Sequence, residues 1–287
     1  GAVRPLATAL GNLGLVHKEL GNYAMAEGLI GEQLAIDRRI GDRQGLSNAY
    51  GARGMIRYLT NRHDEAVADL EQQLRICEAI GYKRGSSIAL SNLGTVHGEQ
   101  GDWQRALECY QRDTLLCEEL GDKGELPESY FNLGVAQFET GHAAEGERLL
   151  RRAIELSLET GNDYYRCNYL AVLAEYLVHG GRAGEAEALA AEGRSLAQAT
   201  NRVDAQRRAA IALALAHAAA DRGRGERELR QLLHQAQDDQ AKAPPLYELF
   251  RLTGSSDYRS AALTVYSRLA AGHTRRLYRD RIAELKG

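Results

Sequence analysis

Apolar residues recur along this chain at helical spacing, and polar breaks interrupt them about every 20 residues. Leu90, Leu93, Val96 and His97 follow an i, i+3, i+6, i+7 order, which places them on one face of a helix. Ala66, Leu70, Leu74 and Ile76 form a similar stripe in the preceding helical stretch. The breaks carry Gly or Asn: Gly21-Asn22, Gly41-Asp42, Asn61-Arg62, Gly81, Gly101-Asp102, Gly121-Asp122, Gly141, Gly161-Asn162, Gly180-Gly181 and Asn201. These residues tolerate the left-handed conformation that ends a helix, and a following Asp or Asn can cap the next one. The pattern predicts pairs of antiparallel helices, A then B, joined by tight turns. Pro is nearly absent, and Ala, Leu, Glu, Gln and Arg dominate, which agrees with helix almost throughout.

The pairs repeat. Gly14, Gly54, Gly94 and Gly134 lie 40 residues apart, and Ala174 and Ala214 continue the series. Ala26, Ala66, Ala106, Gly146 and Ala186 form a second small-residue column. A glycine inside a helix costs about 1 kcal/mol against alanine, so its recurrence predicts close approach of helix B to helix A. A fixed period of this length signals a solenoid, which grows by stacking units rather than by thickening one core. The expected units are about 5–40, 41–80, 81–120, 121–160, 161–200 and 201–240, the last one degenerate. Within 201–240, an Ala-rich helix over 203–221 precedes a polar helix opened by Gly223-Arg224-Gly225 and running to about Asp239. Over 241–287, Pro244-Pro245 should open a helix through Thr253, as proline does at a first turn. Gly254-Ser255-Ser256-Asp257 reads as a turn, with helices at about 257–271 and 274–286 that cap the stack.

These marks resemble the tetratricopeptide repeat. Its large residue corresponds to Leu10, Tyr50, Leu90, Tyr130 and Leu170, and its Leu-Gly pair to Leu13-Gly14, Leu93-Gly94 and Leu133-Gly134. The usual period of the family is about 34. The longer unit here is similar to the repeats of kinesin light chain, of G-protein regulators of spindle orientation and of bacterial signalling proteins. The likeness is strong over residues 6–200 and weak over 203–240. It implies an all-α fold: a right-handed α-solenoid of antiparallel helix pairs, about six units plus C-terminal capping helices. Two features depart from the family pattern. Arg53 stands where leucine is usual, and His17, Arg57, His97 and Gln137 replace the helix-A aromatic. The unit with Ala52-Arg53 is where the pattern is most broken or the groove most specialised.

In this family the A helices line a concave groove. Carried over position by position, the resemblance places Asn12, Asn92 and Asn132 there, with Ala52 interrupting. An amide donates and accepts at once, which suits an extended peptide. Asn48, Asn168 and Glu128, then Leu15, Met55, Thr95, Val135 and Glu175, share that side, and Lys18, Tyr58, Phe138, Glu19, Glu99 and Glu139 follow one turn on. The candidate peptide-binding groove is therefore Asn12, Asn48, Met55, Tyr58, Asn92, Thr95, Asn132, Val135, Phe138 and Asn168. Its mixture of amides, apolar area and excess acid suits a protein or peptide segment with apolar anchors and some positive charge. The basic clamp of chaperone-binding repeats is not reproduced.

Charge and chemistry narrow the rest. A net charge of −3 and a pI near 6.3 argue against a nucleic-acid partner, which would call for a basic face. Cys77, Cys109, Cys117 and Cys167 include no C-x-x-C pair, and read as free thiols of a reducing, cytoplasmic setting. No run of 18 apolar residues is present, so no membrane span is expected. The chain opens directly in repeat phase, as a piece of a longer protein would. A P-loop, H-E-x-x-H and G-x-S-x-G are all missing. The histidines, His273 among them, are scattered. The expectation is a scaffold without catalysis, cofactor or metal. The alternatives are a sensor region of a larger bacterial regulator and a self-assembling homo-oligomer such as a homodimer.

Overall fold

The computed structural model describes residues 3–272 and 275–287; His273 and the expected start of the last helix at residue 274 lie outside these. Among the described residues there are fifteen α-helices and no strand. By packing, the chain forms two compact units, Gly1–Gly141 and His142–Gly287. The first holds α1 (Val3–Glu19), α2 (Tyr23–Ile40), α3 (Arg43–Leu59), α4 (His63–Ala79), α5 (Lys83–Gln100), α6 (Trp103–Leu120) and α7 (Leu126–Glu139). The second holds α8 (Ala143–Glu159), α9 (Asp163–His179), α10 (Ala183–Ala199), α11 (Val203–Ala220), α12 (Arg222–Gln235), α13 (Asp239–Thr253), α14 (Ser256–Gly272) and α15 (Arg276–Lys286). Within each unit successive helices pack on one another, and in the first unit each A helix also touches the next, α1 on α3, α3 on α5 and α5 on α7. This is an α-solenoid of helix pairs.

One turn design recurs. The amide of Asn22 donates to the carbonyl of His17 at 2.9 Å, Asp42 to Asp37 at 2.9 Å, Arg62 to Arg57 at 2.8 Å and Asp102 to His97 at 2.9 Å. The second unit repeats it with Asn162 to Ser157 and Arg182 to Leu177. This six-to-one bond satisfies orphan carbonyls and requires a left-handed residue just before the donor. Gly41 meets that need at φ +71°, and Asn61 at φ +60°. The next helix is then capped by Asp42, whose Oδ1 accepts from the Gly45 amide at 2.9 Å, or by Asp102, which accepts from Arg105 at 3.3 Å. Asn22 and Asn162, also expected as caps, make no such side-chain bond.

The glycine column is steric, as its spacing predicts. A Cβ on Gly14 would lie 2.8 Å from Ile30 Cδ1, on Gly54 2.9 Å from Leu70 Cγ, and on Gly94 2.5 Å from the Tyr110 ring. The contacted residue stands 16 positions later each time, on the paired B helix. Ala26, Ala66 and Ala106 are fully buried beside these contacts, and Ala174 and Ala214 are buried in the second unit.

Arg53, the departure from the leucine column, has a structural reason. Its guanidinium makes a two-pronged bond to Asp69, Nε to Oδ2 and Nη2 to Oδ1, both 2.7 Å. Arg57 Nη1 reaches the same carboxylate at 2.9 Å. Arg57 and Arg62 also hold Glu27 of the preceding pair, at 3.2 and 2.5 Å. Arg62 beside Glu27 keeps that carboxyl below the usual range. The corresponding pair one repeat on is Leu93 with Cys109. An apolar helix-to-helix contact is thus replaced in this unit by a buried ion pair, with Asp69 only 4% exposed.

The C-terminal region differs from the pattern in two places. α12 stops at Gln235 rather than near Asp239, and α13 begins at Asp239 rather than at the prolines. Asp238 is the true cap, its Oδ1 accepting from Ala241 at 2.7 Å. Pro244 and Pro245 therefore lie inside the helix, which forgoes the bonds their missing N–H groups would make. Burial of Ala241, Ala243, Pro245 and Leu246 keeps the segment helical. α13, α14 and α15 close on a core that includes Leu246, Tyr247, Tyr266, Leu269, Tyr278 and Leu285.

At the other end, α1 leaves apolar positions open. Leu13 is 47% exposed whereas its equivalents Leu93 and Leu133 are 4% and 8%. Val16 is 54% exposed whereas Ile56, Val96 and Ala136 are fully buried.

Replacing Asp69 with Ala strands the Arg53 guanidinium in a half-buried site, and should destabilise the chain by roughly 3 kcal/mol in urea unfolding. The double replacement Arg53→Leu and Asp69→Leu restores the apolar contact of the other repeats, and should fall within about 1 kcal/mol of the parent. A double variant as unstable as Asp69→Ala would show that the pair is not a substitute for packing.

Candidate functional site

The groove candidates all lie on A helices: Asn12 on α1; Asn48, Met55 and Tyr58 on α3; Asn92 and Thr95 on α5; Asn132, Val135 and Phe138 on α7; Asn168 on α9. Asn12 and Asn48 are exposed, and the other eight are half-buried. Among the described residues, none hydrogen-bonds to the side-chain amides of Asn12, Asn48, Asn92, Asn132 or Asn168. Bonding within the solenoid therefore does not explain these asparagines. Thr95 is different. Its hydroxyl donates to the Ser91 carbonyl at 3.0 Å and lies 3.3 Å from the Tyr110 hydroxyl, so it is engaged in the packing of α5 on α6. The Tyr58 ring meets the His63 ring edge-on, with centroids 5.7 Å apart.

The structure brings some candidates together. Asn12 and Asn48 share a cavity of about 370 Å³ with Arg4, Thr8, Gln33, Asp37 and Asp42. Its floor exists because glycine stands opposite the polar residues of α2. A Cβ on Gly11 would collide with Gln33 Oε1, and one on Gly45 would lie 2.5 Å from Asp37 Oδ2. Gln33 Nε2 donates to Asp37 Oδ2 at 3.2 Å. Burial pushes the Asp37 carboxyl up, and the bond from Gln33 opposes this.

A second cavity of about 160 Å³ groups Asn92 with Ile88, Asp113, Glu125, Glu128 and Ser129, with Arg84 at its edge. Asp113 is 2% exposed. Its Oδ1 accepts from the Ser87 hydroxyl at 2.5 Å and from the Cys117 thiol at 3.7 Å. Burial raises its pKa against those bonds. Glu128 is raised as well, first by burial and then by Glu125 and Asp113 nearby. In the second unit, Asn168 and Glu175 share a third cavity, of about 380 Å³.

Sequence reasoning missed the polar floor beneath the asparagines. Gln33, Gln73 and Asp113 form a column of period 40 on the B helices, all less than 10% exposed. The available signal was a second glycine column, Gly11 and Gly51, three residues before Gly14 and Gly54.

Comparison with known proteins agrees with this architecture. The tetratricopeptide repeat profile matches residues 5–79 and 85–159, and a second profile of that description matches 169–192. A search of curated proteins finds no match. Among solved structures, the apo form of RapI aligns at TM-score 0.73 and 11% identity, over 98% of this chain and 97% of that one. A Rap protein complexed with Competence and Sporulation Factor aligns at TM-score 0.65 and 12% identity, over 96% and 74%. A signal transduction ATPase with numerous domains (STAND) from Pyrococcus horikoshii, which has a tetratricopeptide repeat sensor, aligns at TM-score 0.68 and 18% identity. The alignment covers 81% of this chain, which spans 37% of the length of that ATPase. No helix among the described residues is long and apolar enough to cross a membrane.

The raised pKa of Asp113 has a definite sign in stability. The folded chain holds that proton more tightly than the unfolded chain, whose value is near 3.8. The stabilisation is complete below that value and is lost as pH rises through the folded one. Asp113→Asn keeps an acceptor for Ser87 and is always neutral. Its urea midpoint should exceed that of the parent at pH 7, and the difference should shrink on acidification to about pH 4. A gain that is constant over this range would refute the assignment.

Proposed function

The chain belongs to the tetratricopeptide repeat family, and we propose that it is a non-catalytic recognition scaffold that holds an extended protein segment along its A helices. The observation that carries this reading is the set of unpaired amides, Asn12, Asn48, Asn92 and Asn132, on the A helices of the first unit, with Asn168 a further unpaired amide in the second. A bound peptide backbone offers each amide both a donor and an acceptor. Acid around Asn92, from Asp113, Glu125 and Glu128 with Arg84 beside them, favours a segment with positive charge. Exposed Ile88 and half-buried Met55, Val135 and Phe138 offer apolar contact. The Rap protein complexed with Competence and Sporulation Factor supports the reading as a like fold with a bound partner.

A second reading, a sensor region within a larger regulatory protein, draws on the open apolar face of α1, where Leu13 and Val16 lack the cover their equivalents receive. The STAND protein with a repeat sensor is a like case. The same face would serve self-assembly.

Replacing Asn92 and Asn132 together with Ala tests the first reading. Capture from a lysate of the source organism should lose the specific partner that the parent retains, with the thermal midpoint unchanged within about 1 kcal/mol of stability. An identical captured set would refute the amide column as the binding surface.

A further inference from the structure

The cavity of about 380 Å³ in the second unit is walled by α9, α11 and the C-terminal helices α13 and α14, with residues 275–281 at its rim. Most of its charges are already answered. Arg281 Nη1 donates to the Tyr247 hydroxyl at 2.7 Å and to Glu284 at 3.0 Å, and its guanidinium lies over the Tyr247 ring at 4.1 Å. The Tyr247 hydroxyl in turn donates to Glu284. Arg207 is paired with Asp204 at 2.5 Å.

Two buried residues are answered only in part or not at all. Glu248 is 7% exposed, yet its nearest donors are Arg251 Nη1 at 3.5 Å and His179 Nε2 at 4.0 Å. Both are long for a charge-assisted bond. Arg251 also donates to His179 Nδ1 at 3.1 Å, and burial, then the Arg251 charge, push the imidazole pKa down. Tyr266 is 4% exposed, lines the same cavity, and its hydroxyl has no hydrogen-bond partner among the described residues. Ring contacts with Tyr247 and Tyr278 hold it in place. A carboxyl held by one long ion pair and a tyrosine hydroxyl without a partner both leave hydrogen-bonding capacity unused, and a ligand that donates to both would use it. Asn168, with its free amide, stands on the same cavity, and Ile211, Leu215 and Leu269 give it an apolar wall.

We propose that this cavity is a subsite for a cationic side chain: an ammonium or guanidinium group donates to Glu248 and Tyr266, and its methylene stem lies on Leu269 and Ile211. Tyrosine faces suit such a group as well. The inference does not depend on the amide column of the first unit.

The test titrates the full chain with Nα-acetyl-lysinamide, with its uncharged counterpart Nα-acetyl-norleucinamide and with the acidic Nα-acetyl-glutamic acid amide. Tyrosine-ring NMR signals report binding, and loss of one signal in Tyr266→Phe assigns Tyr266. The lysine probe should shift the Tyr266 ring and bind at least about tenfold more tightly than the norleucine probe, the effect of one charge-assisted bond. Glu248→Gln should remove that advantage, and Tyr266→Phe should weaken the lysine probe severalfold. Equal binding of the norleucine probe, tighter binding of the acidic probe, or no movement of the Tyr266 signal overturns the proposal. So does full retention of lysine binding in Glu248→Gln. If that variant does not fold by circular dichroism, the Tyr266→Phe comparison decides alone.

Discussion

Everything in the repeat region depends on how close helix B comes to helix A. The space that a Cβ would need at Gly14, Gly54 and Gly94 is taken by Ile30, Leu70 and Tyr110. Close approach brings dispersion contacts to both backbones, and that packing outweighs the helix propensity lost at each glycine. It also sets the register. With Gly54 seated on Leu70, Gly51 falls opposite Gln73, and Arg53 opposite Asp69. The polar floor and the ion cluster are consequences of one steric contact, repeated.

That contact explains what was legible in the sequence. Period, turns and the glycine column are local or strictly periodic, so the helix pairs and their left-handed ends at Gly41 or Asn61 follow from the chain alone. The Asp37 and Asp113 sites were not legible in the same way. Gln33 and Gly11 are 22 residues apart, and nothing pairs them until the A-to-B register is known. Arg53 is intelligible only with Asp69, 16 residues on, in the place of a buried apolar contact. The start of α13 was misplaced because Asp238 and Asp239 sit in a polar run that reads equally well as the tail of α12. Two prolines carry a strong local signal, but the cap at Asp238 and the burial of Ala241 and Ala243 outweighed it.

The candidate site was legible in part. The asparagines lie on the A helices with their amides unpaired; Thr95, from the same reasoning, is tied to Tyr110. Chemistry that came from outside the repeat escaped. The cavity of the second unit joins α9 and α11 to Tyr247, Glu248 and Tyr266, residues beyond the point where the 40-residue phase decays. Its character is also unlike that of the first unit. There the buried carboxyl of Asp113 has a hydroxyl and a thiol as partners, whereas Glu248 has only distant ones.

The ion cluster around Asp69 has a bearing on how such a protein can change. Solenoid repeats are commonly treated as interchangeable modules, since each contacts only its neighbours. Here Glu27, on the B helix of one pair, is shared by Arg57 and Arg62 of the next. Duplicating the 41–80 module would set the second copy's arginines against Val67, moving it behind the next module would set them against Leu107, and deleting it would leave Glu27 without them. The cluster therefore gives this junction an identity that an all-apolar junction would lack. It fixes the order of the first two repeats, so that this part of the array can drift residue by residue but cannot be recombined freely.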